Sequence, residues 1–340
     1  MIWEKQGEAM VKRAFLYVNY KNIVVLKDYL DIVRLALENN GYDTRYIESL
    51  DGIDKSSIIV FPMAVDAFRY YWKGYKRIIL WQQGAIAEES FLRNHSKLRL
   101  MILNGIDCFI MKKAILVLYV SKELRSYYET RARQSYESKS YIMPCFNEEL
   151  DVSVLQKKDY KKPSFVYVGS LDLWQCFRQT VALYTEIERR IPGCSFKVLT
   201  FQTEEAEQII REAGAKNCCV KFVPKENVRQ ELTECSYGFV LREDIEVNRV
   251  STPTKISSYL AAGVIPVVTS SVKDFAAFAK DKSCACIVKD TTDIETIISF
   301  LNSGIRKNDV AKDIIRIFGS YYNKEIHINN ISELLRICLK

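Results

Sequence analysis

Histidine is scarce in this 340-residue chain, which has only His95 and His327. That leaves little for imidazole acid–base catalysis or for a histidine-built metal site. None of the ten cysteines forms a CxxC pair, so neither a structural zinc site nor a dithiol redox pair has support. Long apolar runs are missing as well. Ala114–Val120 is among the longest, far short of the ~20 residues a membrane-spanning helix needs. The N-terminal stretch MIWEKQGEAMVKRAF carries charges throughout and lacks the apolar core of a secretory signal. No GxGxxG follows the first strand-like run, which argues against a dinucleotide site. There is no GxxxxGK[ST] and no GxSxG, so P-loop NTPase and nucleophile-elbow hydrolase are set aside.

What is present is an ordinary globular composition, 48% hydrophobic and 27% charged. At roughly 150 residues per domain, the length suggests about two domains. Lys+Arg 49 against Asp+Glu 42 leaves +7. That excess suits an anionic small molecule or an anionic membrane surface and falls short of a dedicated nucleic-acid binder. No RNP, KH or zinc signature points to nucleic acid. Cys108, Cys176, Cys235 and Cys286 stand in apolar runs, as buried reduced thiols of a cytoplasmic protein do.

Short β-branched runs alternate with longer amphipathic stretches, the pattern of parallel sheets with crossover helices. Strands are predicted at 15–18, 44–47, 58–61, 77–81, 115–120 and 141–143, with a helix over 96–112. Ser121 is placed to cap the helix that follows it. Residues 147–163 are polar and lysine-rich, without helical or strand period, and read as a linker. The alternation then restarts, with strands at 165–168, 196–199, 220–223, 237–241, 264–268 and 286–288. A helix is expected over 173–190, and the tail 309–340 reads as helical. The fold class is therefore α/β, with two Rossmann-like domains facing a cleft. The domains are 1–146 and 164–340, the latter including the C-terminal helices.

The segment with most chemistry is LREDIEVNRVSTPTKISSYLAAGVIPVVT, Leu241–Thr269. A strand ends, a polar loop follows, and Ser251-Thr252-Pro253-Thr254 leads into a helix stopped near Gly263. Pro253 suits a first helical turn, where its missing N–H costs nothing. Free N–H groups and the positive end of a helix dipole lie there, with Lys255, Arg242 and Arg249 close in sequence. Those are the ingredients of an anion site.

This segment resembles the donor-binding core of retaining glycosyltransferases of the GT-B fold (family 4-like), as found in bacterial enzymes of capsule, O-antigen and exopolysaccharide synthesis. Such sequences carry a stretch close to RED…VNRVATPTK…EYL..G..PV. Here it reads Arg242-Glu243-Asp244, then Val247–Lys255, then Tyr259-Leu260 and Gly263. Phe165–Ser170 with Trp174-Gln175-Cys176 resembles the opening of the same domain. Ile79–Gly84 with Glu88-Glu89-Ser90 resembles a W-x-QG…PEES stretch of the N-terminal domain.

The resemblance implies a nucleotide-sugar donor, UDP-sugar favoured, and a glycan or polyprenyl-linked saccharide acceptor. Arg242 and Lys255 would hold the diphosphate and neutralise the leaving group. Gly169-Ser170 would turn the backbone towards it. The backbone at Phe222 and Val223 would meet the base, and Asn248, Arg249, Ser251, Thr252 and Thr254 would line the donor. Neither a metal nor a cofactor is implied. A Glu-x7-Glu motif of the family is replaced here by Val250 and Ser258. Ser258 would keep a hydroxyl towards the donor ribose, without a carboxylate's strength. That departure keeps a non-catalytic nucleotide-sugar scaffold open as an alternative, beside an epimerase or hydrolase on the same fold.

On the acceptor side, Trp81, Gln82 and Gly84 follow a strand, where Trp81 would stack on a sugar ring. Glu88 and Glu89 would bind hydroxyls. His95 and His327 read as structural. Two stretches stay outside this scheme. Phe68–Arg77 is FRYYWKGYKR, and residues 93–139 hold ten Lys/Arg against four Asp/Glu. Basic and apolar together, they suit docking at the inner face of an anionic membrane.

Overall fold

The computed structural model describes residues 12–18 and 23–339. The charged stretch 1–11 lies outside them. The β-branched runs form β1 (Arg13–Tyr17), β2 (Asp43–Ile47), β3 (Ile58–Phe61), β4 (Ile78–Gln82), β5 (Leu116–Tyr119) and β6 (Ser140–Ile142). They pair in parallel in the order β2-β1-β3-β4-β5-β6. The later runs form β7 (Ser164–Val168), β8 (Ser195–Leu199), β9 (Cys218–Lys221), β10 (Tyr237–Val240), β11 (Ile265–Thr269) and β12 (Cys286–Val288). Their order is β12-β11-β10-β7-β8-β9, again parallel throughout. Strands β3, β4, β5, β10 and β11 are buried at every position, as expected where helices cover both faces of a parallel sheet.

The crossovers in the first half are α1 (Ile23–Glu38), α2 (Ala64–Trp72), α3 (Ile86–Asn94), α4 (Lys97–Lys113) and α5 (Lys122–Ala132). Ser96 caps α4 by accepting from the Arg99 N–H at 3.3 Å, and Ser121 caps α5 by accepting from Leu124 N–H at 2.9 Å. The second half carries α6 (Val152–Gln156), α7 (Phe177–Arg190), α8 (Thr203–Ala213), α9 (Lys225–Thr233), α10 (Glu246–Arg249) and α11 (Lys255–Ala261). It continues with α12 (Lys273–Ala279), α13 (Ile294–Asn302), α14 (Lys307–Phe318) and α15 (Lys324–Cys338).

The chain divides into two compact units, and the division departs from the sequence reading. Of the described residues, one unit holds those up to 119, 128–143 and those from 324 onward; the other holds 120–127 and 144–323. The last helix therefore belongs with the first sheet, not with the C-terminal domain. Its residues Ile331 and Leu335 are fully buried. Ser332 accepts from Asn39 at 3.4 Å and its carbonyl from Asn40 at 3.1 Å, at the end of α1.

Nor is 147–163 a free linker. It contains α6, and Tyr160 donates to the Gly263 carbonyl at 2.8 Å. The Lys158 ammonium donates to the carbonyls of Leu232, Thr233 and Cys235 at 3.1, 2.8 and 2.6 Å. It thereby satisfies the open carbonyls at the end of α9. Burial lowers its pKa to about 8. A polar stretch can thus be structural when its polar atoms cap another element.

In the second sheet the strand order reverses between β7 and β10. Ligands of doubly wound sheets bind beyond the carboxyl ends of strands at such a reversal. In the first sheet the reversal lies between β1 and β3.

Candidate functional site

Arg242 lies two residues past the end of β10, at the carboxyl end beside β7, and is buried. Its guanidinium donates to the Leu241 carbonyl at 3.0 Å and to the Gln175 carbonyl at 3.1 Å. It also donates to the Gln175 side-chain oxygen at 2.5 Å. Lys255 opens α11 and donates to that same side-chain oxygen at 2.8 Å. Its ammonium also lies 4.4 Å from the centre of the Tyr167 ring. Two cations therefore converge on one amide oxygen, and among the described residues neither pairs with a carboxylate. Burial, then the Arg242 charge, holds the Lys255 pKa well below its ordinary value. Arg242 is likewise lowered by burial.

The turn after β7 makes room for this pair. Gly169 has φ +128, which disfavours any side chain, and an added Cβ would sit 3.3 Å from the Lys255 ammonium nitrogen. Ser170 donates to Asp172 at 2.8 Å, so its hydroxyl braces the turn. The single helix expected over 173–190 is interrupted. Leu173–Gln175 form a 3-10 turn, Cys176 takes φ 52, and α7 begins at Phe177. That break directs both Gln175 oxygens at the cations. Gln175 was visible in the sequence only as part of the WQC stretch and had no assigned role. A cavity of about 290 Å³ opens beside Arg242, lined also by Ser271, Lys273 and Asp290 at the ends of β11 and β12.

The remaining donor-side residues fare differently. Asn248 is buried and donates to the Glu243 carbonyl at 3.0 Å, and Ser251 donates to the Asn248 carbonyl at 3.0 Å. Both hold the loop in shape. The Arg249 guanidinium grips Asp244 through bonds of 2.6 and 3.0 Å, so its charge is already matched. The Thr252 hydroxyl accepts from Cys145 N–H at 3.1 Å. Thr254 precedes α11 in helical conformation and makes no side-chain cap. Ser258, one turn beyond Lys255, donates to Asn147 at 3.2 Å. Phe222 and Val223 follow β9, an edge strand two places from β7, and Phe222 is exposed.

In the first unit, Trp81 is not a stacking platform. It lies in the middle of the sheet, is 1% exposed, and packs on Tyr29 at 4.8 Å. Every position of β4 is buried, so either face of the strand would put it in the core. Gln82 is also interior, donating to the Gly84 carbonyl at 3.0 Å and to the Tyr128 hydroxyl at 2.8 Å. Tyr128 in turn donates to buried Asp107 at 2.8 Å. Burial pushes the Asp107 pKa up to about 7, and the Glu88 charge adds to the effect. Glu88 accepts from Arg131 at 2.8 Å and from Asn104 at 3.1 Å, which leaves its other oxygen buried without a partner. Glu89 reaches an opening. With Asp66, Ser90, Arg93 and Arg99 it lines a cavity of about 370 Å³ at the carboxyl ends of β3 and β4.

The two histidines lie outside this chemistry. His95 ends α3 in the left-handed region, and His327 pairs with the Tyr141 hydroxyl at 2.8 Å. All ten cysteines are free thiols. Among the described residues no group of three His, Cys, Asp or Glu is placed to hold a metal ion.

No family model matches the chain, and no curated protein matches it in sequence. Solved structures do match. Sucrose-phosphate synthase from Thermosynechococcus elongatus aligns with a TM-score of 0.65 at 12% identity, over 97% of this chain and 99% of that one. Anabaena Alr3699/HepE, solved with UDP and glucose, gives 0.66 at 12% identity, over 96% and 99%. An S. aureus TarM variant, solved with fondaparinux, alpha-GlcNAc-glycerol and UDP, gives 0.64 at 9% identity. That match covers 83% of this chain and 55% of the other, so the chain spans about half the length of TarM. Identities this low speak for architecture alone. Two parallel six-stranded sheets with their helices, in two Rossmann-like domains, have the GT-B fold of glycosyltransferase structures.

Proposed function

We propose that the chain is a glycosyltransferase that moves a sugar from a nucleotide-sugar donor, UDP-sugar favoured, to a saccharide acceptor. The carrying observation is the Arg242–Lys255 pair, converging on Gln175 at the strand reversal of the second sheet with no carboxylate paired to it among the described residues. A diphosphate supplies the charge such a pair calls for, and Gly169 lets it approach the backbone. Two similar structures, Alr3699/HepE and TarM, were solved with UDP, and that chemistry is carried to this chain as part of the reading.

The step breaks the bond between the anomeric carbon and the diphosphate oxygen. The acceptor hydroxyl oxygen bonds to that carbon, and the departing phosphate takes the proton. Arg242 and Lys255 stabilise the negative charge that grows on the leaving diphosphate, the larger part of such catalysis. Attack on the face the diphosphate leaves retains the anomeric configuration, and the two cations serve where a metal would otherwise be required. The acceptor is a glycan or lipid-linked saccharide of bacterial surface polysaccharide synthesis, met on the cytoplasmic side. Nucleic acid has no part in this reading.

The test is calorimetry with UDP, GDP and CMP, followed by transfer and donor-hydrolysis assays on wild type and Lys255→Ala. UDP is expected to bind, and the variant, still folded, is expected to lose about 10²–10³-fold in turnover. Wild-type turnover in the variant would sink the site assignment. A second reading, a nucleotide-sugar-binding scaffold without turnover, draws on Ser258, which stands where a carboxylate is usual and is tied to Asn147. Binding without transfer or hydrolysis would favour it.

A further inference from the structure

Strands β7 and β10 flank the reversal of the second sheet, and they part early. β10 pairs with β11 at all four of its positions, and β7 with β8 at all five. With each other they pair only at Phe165 with Tyr237 and at Val166 with Gly238. A side chain from α11 occupies the gap beyond. The Tyr259 hydroxyl accepts from the Val168 N–H at 3.1 Å and donates to the Phe239 carbonyl at 3.4 Å. It stands in the ladder where a donor of one strand would meet an acceptor of the other.

Gly238 makes this possible. A Cβ there would come within 2.5–2.8 Å of three ring atoms of Tyr259, so only a bare backbone lets the ring lie against β10. Tyr259 is fully buried, and burial raises its pKa, so the phenol keeps the proton it donates.

Three elements supply the candidate site. β7 runs into Gly169, β10 leads to Arg242, and α11 carries Lys255. Tyr259 lies four residues after Lys255, on the same side of the helix. One hydroxyl therefore joins all three, bonding β7 one residue before Gly169 and β10 three residues before Arg242. Apolar packing would hold α11 on the sheet without it, but packing is not directional and leaves the helix free to slide. Two directed bonds fix the helix along both strands.

We infer that Tyr259 is a positioning residue, whose hydroxyl bridges β7 and β10 and sets the spacing of Gly169, Arg242 and Lys255. Its effect on the donor rests on the transferase reading; the bridge itself does not. Tyr259→Phe keeps the ring on Gly238 and removes only the bridging oxygen. Tyr184→Phe is the control. Tyr184 is also fully buried, and its hydroxyl donates to the carbonyls of Cys194 at 3.4 Å and Asn217 at 3.2 Å, which precede β8 and β9 at the amino end of the sheet. Both variants should lower the thermal transition. Only Tyr259→Phe should speed exchange of the Val168 amide by about tenfold beyond global opening. It alone should weaken UDP by about tenfold in calorimetry and raise the donor KM while the acceptor KM stays. In wild type, Val168 should exchange only with global unfolding, a measurement that needs no variant.

Fast exchange of Val168 in wild type would overturn the bridge. So would exchange in Tyr259→Phe that is unchanged or slower relative to the control. Equal losses of UDP affinity in the two variants would overturn the positioning role, since stability alone would then account for them. Failure of wild type to bind UDP, with Val168 responding as expected, would count against the transferase reading and leave the bridge standing.

Discussion

At the scale of single residues, the site turns on an amide placed where a carboxylate would be the easier choice. Gln175 offers one oxygen to two cations, which holds them in position without neutralising them. Gln175→Glu would match their charge with an ion pair. The protein should become more stable, while UDP affinity falls by about tenfold or more as the new carboxylate competes with the diphosphate. Thermal melting and calorimetry on the same variant check both directions, and a gain in both would contradict the anion-site reading.

The depressed Lys255 pKa adds a pH signature. As pH rises through that lowered value the ammonium loses its proton, so donor affinity should fall on the alkaline side. Binding on that limb should take up a proton, measurable from the buffer dependence of the calorimetric heat.

Asp107 behaves oppositely. Its carboxyl keeps its proton up to about pH 7 when folded, but only to about pH 4 when unfolded. The folded state therefore binds more protons between those values, and stability falls as pH rises through the window. Asp107→Asn keeps a polar group facing Tyr128 and removes the buried charge. It should be more stable than wild type at about pH 8, with a flatter pH profile in denaturant titrations.

Elements place these residues. Arg242 and Lys255 stand thirteen positions apart in sequence. They meet because β10 ends at the strand reversal and α11 starts beside it. Both were legible beforehand, since strand end, loop and helix start lie in one continuous stretch. The β7–α7 turn was only half legible. Its glycine announced a tight approach, but the break at Cys176 had no signal, because a left-handed cysteine looks like any residue of an apolar helix. Gly169→Ala tests the turn. A Cβ at φ +128, 3.3 Å from the Lys255 ammonium, strains the backbone and displaces the cation. Stability should drop by about 1–2 kcal/mol, and UDP binding should weaken beyond what that loss explains.

On the scale of the whole chain, the two units are not two consecutive halves. Helix α15 ends the sequence and packs against α1 near its start. Leu335→Ala should cost about 2–5 kcal/mol. Hydrogen exchange should rise in α1 and β1 and stay unchanged around Gly169 and Lys255. Faster exchange in the second unit instead would return α15 to it.

The amino-acid sequence by itself determined what is local or periodic: parallel α/β halves, strand positions within a few residues, the Ser121 cap, and the cations of one contiguous motif. Tertiary structure decided what depends on which face looks inward and which distant atoms meet. It buried Trp81, turned Lys158 from a linker charge into a cap for α9, tied Arg249 to Asp244, and brought Gln175 to the cations. Hydrophobic period reports the burial of a face over several residues. The fate of one polar atom depends on a partner elsewhere in the chain, and no window of sequence contains both.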